Sequence, residues 1–281
     1  EDHQGGVWLA QERSLVRIDL ASGLTQLGEA QGLPVGAETL RRIDGVLYAI
    51  GGNYLYRLQP GQDSAPAHFE RIDGEVLRSV LDVAPAADGL LVVSAGLHRH
   101  RDGVTKEILP LATTTSLSAS TQVPGRYWLG HQKGLHRVDL DAAGQPVATP
   151  MPVPWPVWQA VESDAQTLWL ADRAGHLARM TLSDPPQLRE YREADGLPGG
   201  TVKIYPRRAG GVWLATLGGV MVHDPHSDRL RKAEGLPPEM LSGRIFALLE
   251  DNEGNLWARG DDLNAVAWRR GDQYVLDQTL L

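Results

Sequence analysis

The sequence contains no cysteine, no long apolar run and no block of basic residues, and each absence excludes a class of protein. Without cysteine the chain has neither a disulfide framework nor a thiolate metal site. The most apolar stretches, such as residues 89–97, are about nine residues long, which is too short for a membrane span. Because the formal net charge is −8 and no cluster of five or six Lys or Arg residues occurs, we expect no nucleic-acid partner.

What the sequence does contain is enough apolar material for a large core. The chain has 281 residues, of which 42% are hydrophobic. A single all-β domain reaches this length. We therefore expect residues 1–281 to form one folded domain, without a disordered segment of any size.

A short phrase recurs along the whole chain: a small residue, an apolar residue, then Trp or a substitute, then another apolar residue. It reads GGVWLA at 5–10 and again at 210–215, with related copies between and after them. The copies are spaced 36 to 44 residues apart. Self-similarity at such a period indicates a repeat architecture. The seven anchor positions are Trp8, Tyr48, Val92, Trp128, Trp169, Trp213 and Trp257.

Two further phrases divide each repeat into strands. A run such as LVR at 15–17 or LHR at 135–137 follows the anchor after a short turn. The phrase GLP, as in residues 196–198 and 235–237, joins successive repeats. Proline fixes φ and glycine tolerates positive φ, so GLP predicts a turn that ends a strand. Each repeat therefore holds about four short strands, and no segment has helical periodicity.

Four-stranded repeats with a period near 40 residues indicate a β-propeller. We predict an all-β fold, a seven-bladed β-propeller of four-stranded antiparallel blades. The anchor would lie in the second strand of each blade and fill the wedge between neighbouring blades, where one buried aromatic contributes about 2–3 kcal/mol. Val92 fills less of that wedge, which predicts weaker packing of its blade.

The first eight residues, EDHQGGVW, nearly repeat EDNEGNLW at 250–257. In the later copy this stretch would be the end of an innermost strand and the start of the second. We therefore expect the first blade to lack its innermost strand in this chain. An unclosed ring would leave an open sheet edge, so we also expect the chain to be a fragment of a longer protein.

The phrase EDNEGNLWARG at 250–260, preceded by AEGLPPEMLSGRIFALL at 233–249, resembles the two-component-regulator propeller repeat. Residues 194–224 and 125–140 also fit its pattern of GLP, an acidic turn, L-W and G-L-x-R. The resemblance implies a periplasmic sensor region of a membrane-bound histidine kinase or diguanylate cyclase. It also implies a homodimer in the full-length protein. Membrane attachment and signal output would come from segments outside these residues.

The sequence gives little support for catalysis, and we expect no cofactor and no metal. It has no nucleophile elbow, no zinc-protease H-E-x-x-H motif and no P-loop. VDLDAAGQ at 138–145 is similar to a calcium loop but has Ala143 in place of a ligand. EDNEGN at 250–255 places three acidic residues close together among turn residues. We interpret both segments as plain turns. His98 and His100, which would need a third ligand to bind zinc or copper, are interpreted as repeat positions.

The strand arginines recur in five of the seven repeats. Five ligands for one bound molecule would be unusual, so we interpret them as copies of a local ion pair or stacking contact. They are Arg17, Arg57, Arg99, Arg137 and Arg179.

One stretch, MPVPWPVWQ at 151–159, is not explained by the repeat. Its two tryptophans, Trp155 and Trp158, lie on a stiff proline-rich loop and could stack on a sugar or partner surface, or else cap a blade. Propeller geometry places the connections between blades and the turns after the second strands on the same face. The other candidate ligand-binding residues on that face are Arg13, Asn53, Tyr54, His131, Lys133, Asp172, Arg173, Arg259 and Asp261.

Three functions remain open at this point. The leading hypothesis is a non-catalytic periplasmic sensor that binds a small polar ligand, such as a sugar, or a periplasmic protein. The alternative is a metal-dependent lyase of the streptogramin-lyase type, which would need His131, a second histidine and a divalent cation at the channel mouth. The third is a purely structural dimerisation platform.

Overall fold

The computed structural model describes residues 6–11, 14–19, 27–33, 36–61, 66–72, 77 and 79–279. The described residues form 26 β-strands and three 3₁₀ helices of three residues each. This agrees with the absence of helical periodicity in the sequence. The chain divides into two units, residues 1–72 and residues 73–281.

The first unit contains a two-stranded and a four-stranded antiparallel sheet. The four-stranded sheet is blade 1, and its core includes Ala49, Tyr56 and Phe69. The two-stranded sheet consists of β1 (Gly6–Gln11) and β2 (Ser14–Asp19). Blade 1 consists of β3 (Thr39–Ile43), β4 (Val46–Gly51), β5 (Tyr54–Gln59) and β6 (His68–Arg71), and the 3₁₀ helix Glu29–Gln31 precedes it.

The second unit contains five four-stranded antiparallel sheets, blades 2 to 6. Blade 2 is β7 (Asp82–Ala86), β8 (Gly89–Val93), β9 (Leu97–Arg101) and β10 (Val104–Leu109). Blade 3 is β11 (Thr114–Ala119), β12 (Arg126–His131), β13 (Gly134–Leu140) and β14 (Pro146–Met151). Blade 4 is β15 (Gln159–Asp164), β16 (Thr167–Ala171), β17 (Leu177–Thr181) and β18 (Gln187–Tyr191).

Blade 5 is β19 (Lys203–Pro206), β20 (Val212–Thr216), β21 (Gly219–Asp224) and β22 (Arg229–Lys232). Blade 6 is β23 (Ile245–Glu250), β24 (Leu256–Gly260), β25 (Asn264–Arg270) and β26 (Gln273–Asp277). The remaining 3₁₀ helices, Glu193–Asp195 and Pro238–Met240, lie in the connections before and after blade 5.

Within the second unit, the first strand of each blade contacts the first strand of the next: β7 with β11, β11 with β15, β15 with β19, and β19 with β23. The other strands follow outward in chain order. This is the arrangement of successive blades in a β-propeller. The predicted all-β propeller of four-stranded antiparallel blades is therefore confirmed.

The predicted number of blades is wrong, because the described residues form six four-stranded blades and not seven. An anchor residue identifies one strand and its hairpin partner, whereas a blade needs two further strands paired to them. At the first anchor, Trp8, the described residues form only the pair β1 and β2. Residues 1–5, on which the comparison with residues 250–257 rests, lie outside the described part of the chain.

Three of the four anchor tryptophans of the second unit are buried as predicted, and the fourth, Trp257, is half-buried. Trp128, Trp169 and Trp213 lie in second strands and are almost fully buried. Trp128 packs against Leu168 and Met180, both in the following blade. Val92 is also buried. Aromatic rings thus fill the wedges between consecutive blades and hold small sheets together that could not each bury a core alone.

The GLP phrases form the turns that the sequence predicted. Gly196 and Gly235 have φ values of 93° and 79°, which favour glycine. At Gly196 a Cβ atom would lie 2.4 Å from the carbonyl oxygen of Leu230, so the close approach of the two backbone segments also requires glycine.

Candidate functional site

In the second unit, the connections between blades lie against the turns that follow the second strands. The backbone N–H of Val157, in the connection from blade 3 to blade 4, donates to the carbonyl of His131, 3.1 Å away. The hydroxyl of Thr201, in the next connection, lies 3.4 Å from the carbonyl oxygen of Arg173. These two kinds of segment thus share one face, which we call the loop face.

Trp155 does not project from the loop face as an exposed aromatic. It is 6% exposed and packs in the core between blades 3 and 4. Its indole Nε1 donates a 2.9 Å hydrogen bond to Glu190 Oε1 at the end of β18. Of the two alternatives that the sequence left open, the burial of Trp155 favours the cap on a blade over an exposed stacking platform, because the proline-rich segment turns this ring into the blade and Glu190 supplies its polar partner.

Trp158 is half-buried, and one face of its indole is covered by a cation. The guanidinium carbon of Arg173 lies 3.5 Å from the centre of the ring. Arg173 itself is exposed on the turn between β16 and β17. The structure therefore brings together two of the predicted binding residues, and an incoming flat group would compete with Arg173 for the indole face.

The same turn contains an aspartate–histidine pair. Asp172 is buried, and its Oδ1 accepts hydrogen bonds from the backbone N–H groups of Ala174 and His176. Its Oδ2 lies 2.6 Å from Nδ1 of His176. The imidazole also stacks on Trp155, with ring centres 5.4 Å apart and planes 12° from parallel. The ring is thus fixed by a hydrogen bond at its edge and by the indole on one face.

His176 forms part of the wall of a cavity of about 320 Å³ on the loop face. The cavity combines apolar surface from Leu177, Leu197 and Pro198 with polar groups. Its complete lining is Gly175, His176, Leu177, Glu190, Tyr191, Arg192, Glu193, Leu197, Pro198 and Gly199. We call it the His176 cavity. A concave site with apolar walls and a few fixed polar groups is typical of small-molecule binding.

Glu190 is held ionised at the edge of the His176 cavity. Hydrogen bonds from Trp155 and then from Arg192, which lies 3.1 Å away, lower the pKa of this carboxyl below its ordinary value. Each oxygen of Glu190 accepts one of these bonds. A carboxylate oxygen accepts more than one hydrogen bond, so both retain acceptor capacity for a ligand hydroxyl or amine.

His131 has a structural role in the described part of the chain. It is buried, and its Nε2 lies 2.7 Å from the carbonyl oxygen of Ala112, while its Nδ1 accepts from the backbone N–H of Lys133. The imidazole of His136 packs edge-on against it, with ring centres 5.4 Å apart. Burial and then the neighbouring His131 lower the pKa of His136. The two nitrogens of His131 are therefore engaged by neighbouring loop residues, whereas Lys133 is exposed.

The other predicted site residues are not joined to this cluster by any described contact. Arg259 and Asp261 are exposed on blade 6, where the N–H of Asp261 donates to the carbonyl of Arg244. In the first unit, Asn53 is an exposed turn residue, and Tyr54 is covered by Arg71 at 3.7 Å. Arg13 lies outside the described residues.

The strand arginines have the structural role that the sequence indicated. Among the described side chains, the strand arginines form ion pairs: Arg57 with Glu70 at 3.0 Å, Arg137 with Asp139 at 3.0 Å and Arg179 with Asp228 at 3.1 Å. These contacts confirm the local ion pair for these three; the side chain of Arg17 lies outside the described residues.

The two acidic motifs are turns. Asp139 forms ion pairs with arginines. Asp141 caps its own turn by accepting hydrogen bonds from the backbone N–H groups of Ala143 and Gln145. Asp251 does the same for Glu253 and Asn255. Among the described residues no group of three or more His, Asp or Glu side chains is arranged to hold a metal ion.

Sequence reasoning missed His176, Glu190 and Arg192. His176 lies four residues after Asp172. An aspartate that opens a turn and accepts hydrogen bonds from the backbone N–H groups of that turn is a recognisable local pattern. Glu190 and Arg192 come from an outer strand, and nothing in the repeat indicates that they approach the turn of the same blade.

In the part of the chain that the structure describes, no helix has the length and apolar character needed to span a bilayer.

No protein-family model matches the sequence, and no curated protein matches it. Solved structures do. Two of them are of the extracellular domain of one protein from B. thetaiotaomicron, described in one case as a one component system and in the other as a hybrid two component system. They have TM-scores of 0.66 and 0.65 and identities of 18% and 17%, and they cover 96% of this chain.

The chain spans about two fifths of those two solved chains, since 38% and 37% of them are covered. A third structure, virginiamycin B lyase from Staphylococcus aureus, has a TM-score of 0.52 and 16% identity, with 71% of this chain and 69% of the lyase covered. At such identities the likeness establishes the fold. That fold is an all-β propeller, the fold that the repeat resemblance implies.

Proposed function

We propose that this chain is a non-catalytic, extracytoplasmic sensor propeller of a membrane-bound signalling protein. The observation that carries the proposal is the fold likeness over 96% of the chain to the extracellular domain of a hybrid two component system. The repeat phrases at 194–224 and 233–260 point to the same class of protein. In this proposal the output domain, a histidine kinase or diguanylate cyclase, lies elsewhere in the polypeptide, and the full-length protein acts as a dimer.

The signal in this proposal is a small polar molecule that binds in the His176 cavity. The cavity, of about 320 Å³, accommodates a monosaccharide-sized ligand. Its carboxylates, Glu190 and Glu193, and the guanidinium of Arg192 suit the alternating donors and acceptors of sugar hydroxyls. The walls formed by Leu177, Leu197 and Pro198 suit the apolar faces of such a ring. The imidazole of His176, already fixed by Asp172 and Trp155, loses little entropy on binding.

A panel of neutral sugars, amino sugars and amino acids, measured by calorimetry and thermal unfolding, tests the ligand. We expect one class to bind saturably. We also expect His176→Asn to weaken that binding by about tenfold, because the imidazole donates or accepts directly. His226→Asn is the matched control, since His226 is exposed on an outer turn with 96% of its side chain accessible. Equal loss in both variants, or no binding by any compound, would refute a ligand site at His176.

The cellular part of the proposal has a separate test. The reading frame that contains this chain should encode a transmembrane segment and a kinase or cyclase domain. A fusion of the propeller in its natural context to alkaline phosphatase, which is active only outside the cytoplasm, should be active. An inactive fusion, with an active cytoplasmic reporter at the same position, would contradict an extracytoplasmic location. Light scattering on the full-length protein tests the dimer.

A lyase is the second candidate, because the chain shares the fold of virginiamycin B lyase at a TM-score of 0.52. The histidine that fits a general base here is His176, since Asp172 bonds to its Nδ1 and the residue lines the cavity. Incubation with virginiamycin B and Mg²⁺, followed by mass spectrometry, distinguishes the two functions. Ring opening that is abolished in His176→Asn would replace the sensor with a lyase.

A further inference from the structure

A second cavity lies at the boundary between blades 5 and 6, away from the loop-face turn of His176. Its volume is about 270 Å³. Unlike the His176 cavity, it is lined by three arginines, although the chain as a whole carries a formal charge of −8. The lining residues are Arg207, Trp213, Val222, Arg231, Ala233, Glu234, Arg269, Gly271, Asp272 and Tyr274.

Arg207 lies over an aromatic ring and has no carboxylate partner among the described residues. Its guanidinium carbon is 4.6 Å from the centre of the Trp213 indole. The indole is itself fixed, because it is 2% exposed and its Nε1 donates to Glu250 Oε2 at 2.8 Å. A guanidinium stacked on a rigid indole is held in place, while the N–H groups at its edge remain available to a ligand.

Arg269 and Tyr274 approach from blade 6. The Nε of Arg269 donates to the carbonyl of Gly271, 3.1 Å away, which orients the rest of the guanidinium. In the described part of the chain it too has no ion-pair partner. Tyr274 is half-buried on β26, and burial, more than the nearby Glu250, raises the pKa of its phenol. The phenol is therefore a neutral O–H donor at ordinary pH.

The acidic groups near this cavity are largely engaged. Glu234 pairs with Arg231 at 2.7 Å. Glu250 accepts from the Trp213 indole and from the backbone N–H of Arg208. Asp272 adds one negative charge to the lining. Two guanidiniums thus remain without a carboxylate partner among the described residues, and with the phenol of Tyr274 they lie beside apolar wall from Val222 and Ala233.

We propose that this cavity, the Arg207 cavity, binds a small oxyanion, a carboxylate or phosphate group, whose apolar or ring portion lies against Val222, Ala233 and the Trp213 indole. Guanidinium groups bind such oxyanions with paired, charge-assisted hydrogen bonds. The phenol of Tyr274 adds a neutral donor. The site lies in the wedge between two blades, so an anion bound there would contact both blades at once.

Benzoate, benzamide and inorganic phosphate, titrated into the whole chain by calorimetry and followed by tryptophan fluorescence, test the proposal. Benzamide has the ring of benzoate without its charge. We expect benzoate or phosphate to bind saturably at millimolar concentration or below, and benzamide to bind at least about tenfold more weakly than benzoate. Binding should weaken with added sodium chloride, because exposed charges are screened. The preference between benzoate and phosphate identifies the source of the oxyanion.

Variants assign the binding to this cavity. Arg207→Gln and Arg269→Gln should each weaken anion binding by about tenfold, and Tyr274→Phe by about threefold or more, at unchanged circular dichroism. Lys232→Gln is the matched control. It removes one positive charge, as the arginine variants do, but Lys232, next to Arg231 on the same strand, does not line the cavity. Absence of saturable binding by either anion, or equal weakening by the control and the arginine variants, would overturn the proposal. Tyr274→Phe keeps the test decisive if an arginine variant fails to fold.

Discussion

The indole Nε1 of Trp213 donates a 2.8 Å hydrogen bond to Glu250 Oε2, across the boundary between blades 5 and 6. Trp128 and Glu162 repeat this contact at 2.7 Å between blades 3 and 4. In both cases an anchor tryptophan of one blade bonds to a carboxylate near the end of the innermost strand of the next. The anchor therefore does two things: its ring fills the wedge, and its N–H ties the neighbouring blade.

The first prediction concerns Glu162, which collects four hydrogen bonds from blade 3. It accepts from Trp128 Nε1, from the Ser120 hydroxyl, and from both the N–H and the hydroxyl of Thr121. Glu162→Ala leaves a buried indole N–H unpaired, so we expect the free energy of unfolding to fall by about 2–3 kcal/mol. Urea unfolding measures it. Glu239→Ala, at an exposed position, should cost less than about 0.5 kcal/mol; a similar loss in both would contradict the interblade role.

The second prediction separates the two loop tryptophans. Trp155 is buried between blades, so Trp155→Ala should lower the free energy of unfolding by about 3–5 kcal/mol. Trp155→Phe keeps an aromatic ring on His176 and loses only the bond to Glu190, so its cost should be about 1–2 kcal/mol. Trp158→Ala should cost less than Trp155→Ala, because Trp158 is half-buried. Chemical denaturation of all three variants checks this order, and the reverse order would show that Trp155 is not a core residue.

The third prediction is a pH dependence that comes from Asp228. Burial opposes the ionisation of this carboxyl, but hydrogen bonds from His223, Tyr191 and Arg189 outweigh it and lower its pKa from 3.8 to about 2. The native state therefore binds this proton less readily than the unfolded chain. The resulting stability is present above about pH 4 and is lost as the pH falls towards 2.

Asp228→Asn removes that titration and should flatten the fall in unfolding free energy between pH 4 and pH 2. Asparagine suits the site, because residue 228 has a φ of 52° and asparagine tolerates the left-handed region. Thermal unfolding across this pH range measures the slope. Asp184→Asn, at an exposed turn, is the control, and an unchanged slope in Asp228→Asn would show that other carboxyls dominate acid unfolding.

The fourth prediction tests the close approach of Gly130, in β12, to the connection that leads from blade 3 to blade 4. A Cβ atom there would lie 2.3 Å from the Ser116 hydroxyl and 2.4 Å from the Val157 carbonyl oxygen. Since the backbone at Val157 is held by its hydrogen bond to the His131 carbonyl and cannot easily move aside, Gly130→Ala should cost about 2 kcal/mol or more. Gly28→Ala, where nothing lies within 4 Å, is the matched control and should be close to neutral. Differential scanning calorimetry compares them, and equal midpoints would contradict a tight contact at Gly130.

The candidate site shows how far sequence reasoning reached. It found the turn of Asp172 and Arg173 and the segment of Trp155 and Trp158, because loops of a repeat fold can be placed once the repeat is known. It did not find Glu190 or His176, and it left open whether Trp155 is exposed or caps a blade. Whether a tryptophan beside three prolines faces solvent depends on which carboxylate meets its N–H, and Glu190 is 35 residues away in the chain.

The sequence by itself determined the strand order, the β-propeller class and the position of the anchor in the second strand, because a local phrase of small, apolar and aromatic residues encodes one hairpin and its turns. Only the tertiary structure decided that the described residues form six four-stranded blades, that Glu162 and Glu250 accept hydrogen bonds from anchor indoles, and that Arg207 and Arg269 line one cavity. These facts depend on contacts between blades. The repeat fixes which residues enter a blade, whereas the packing of one blade on the next decides which of them meet.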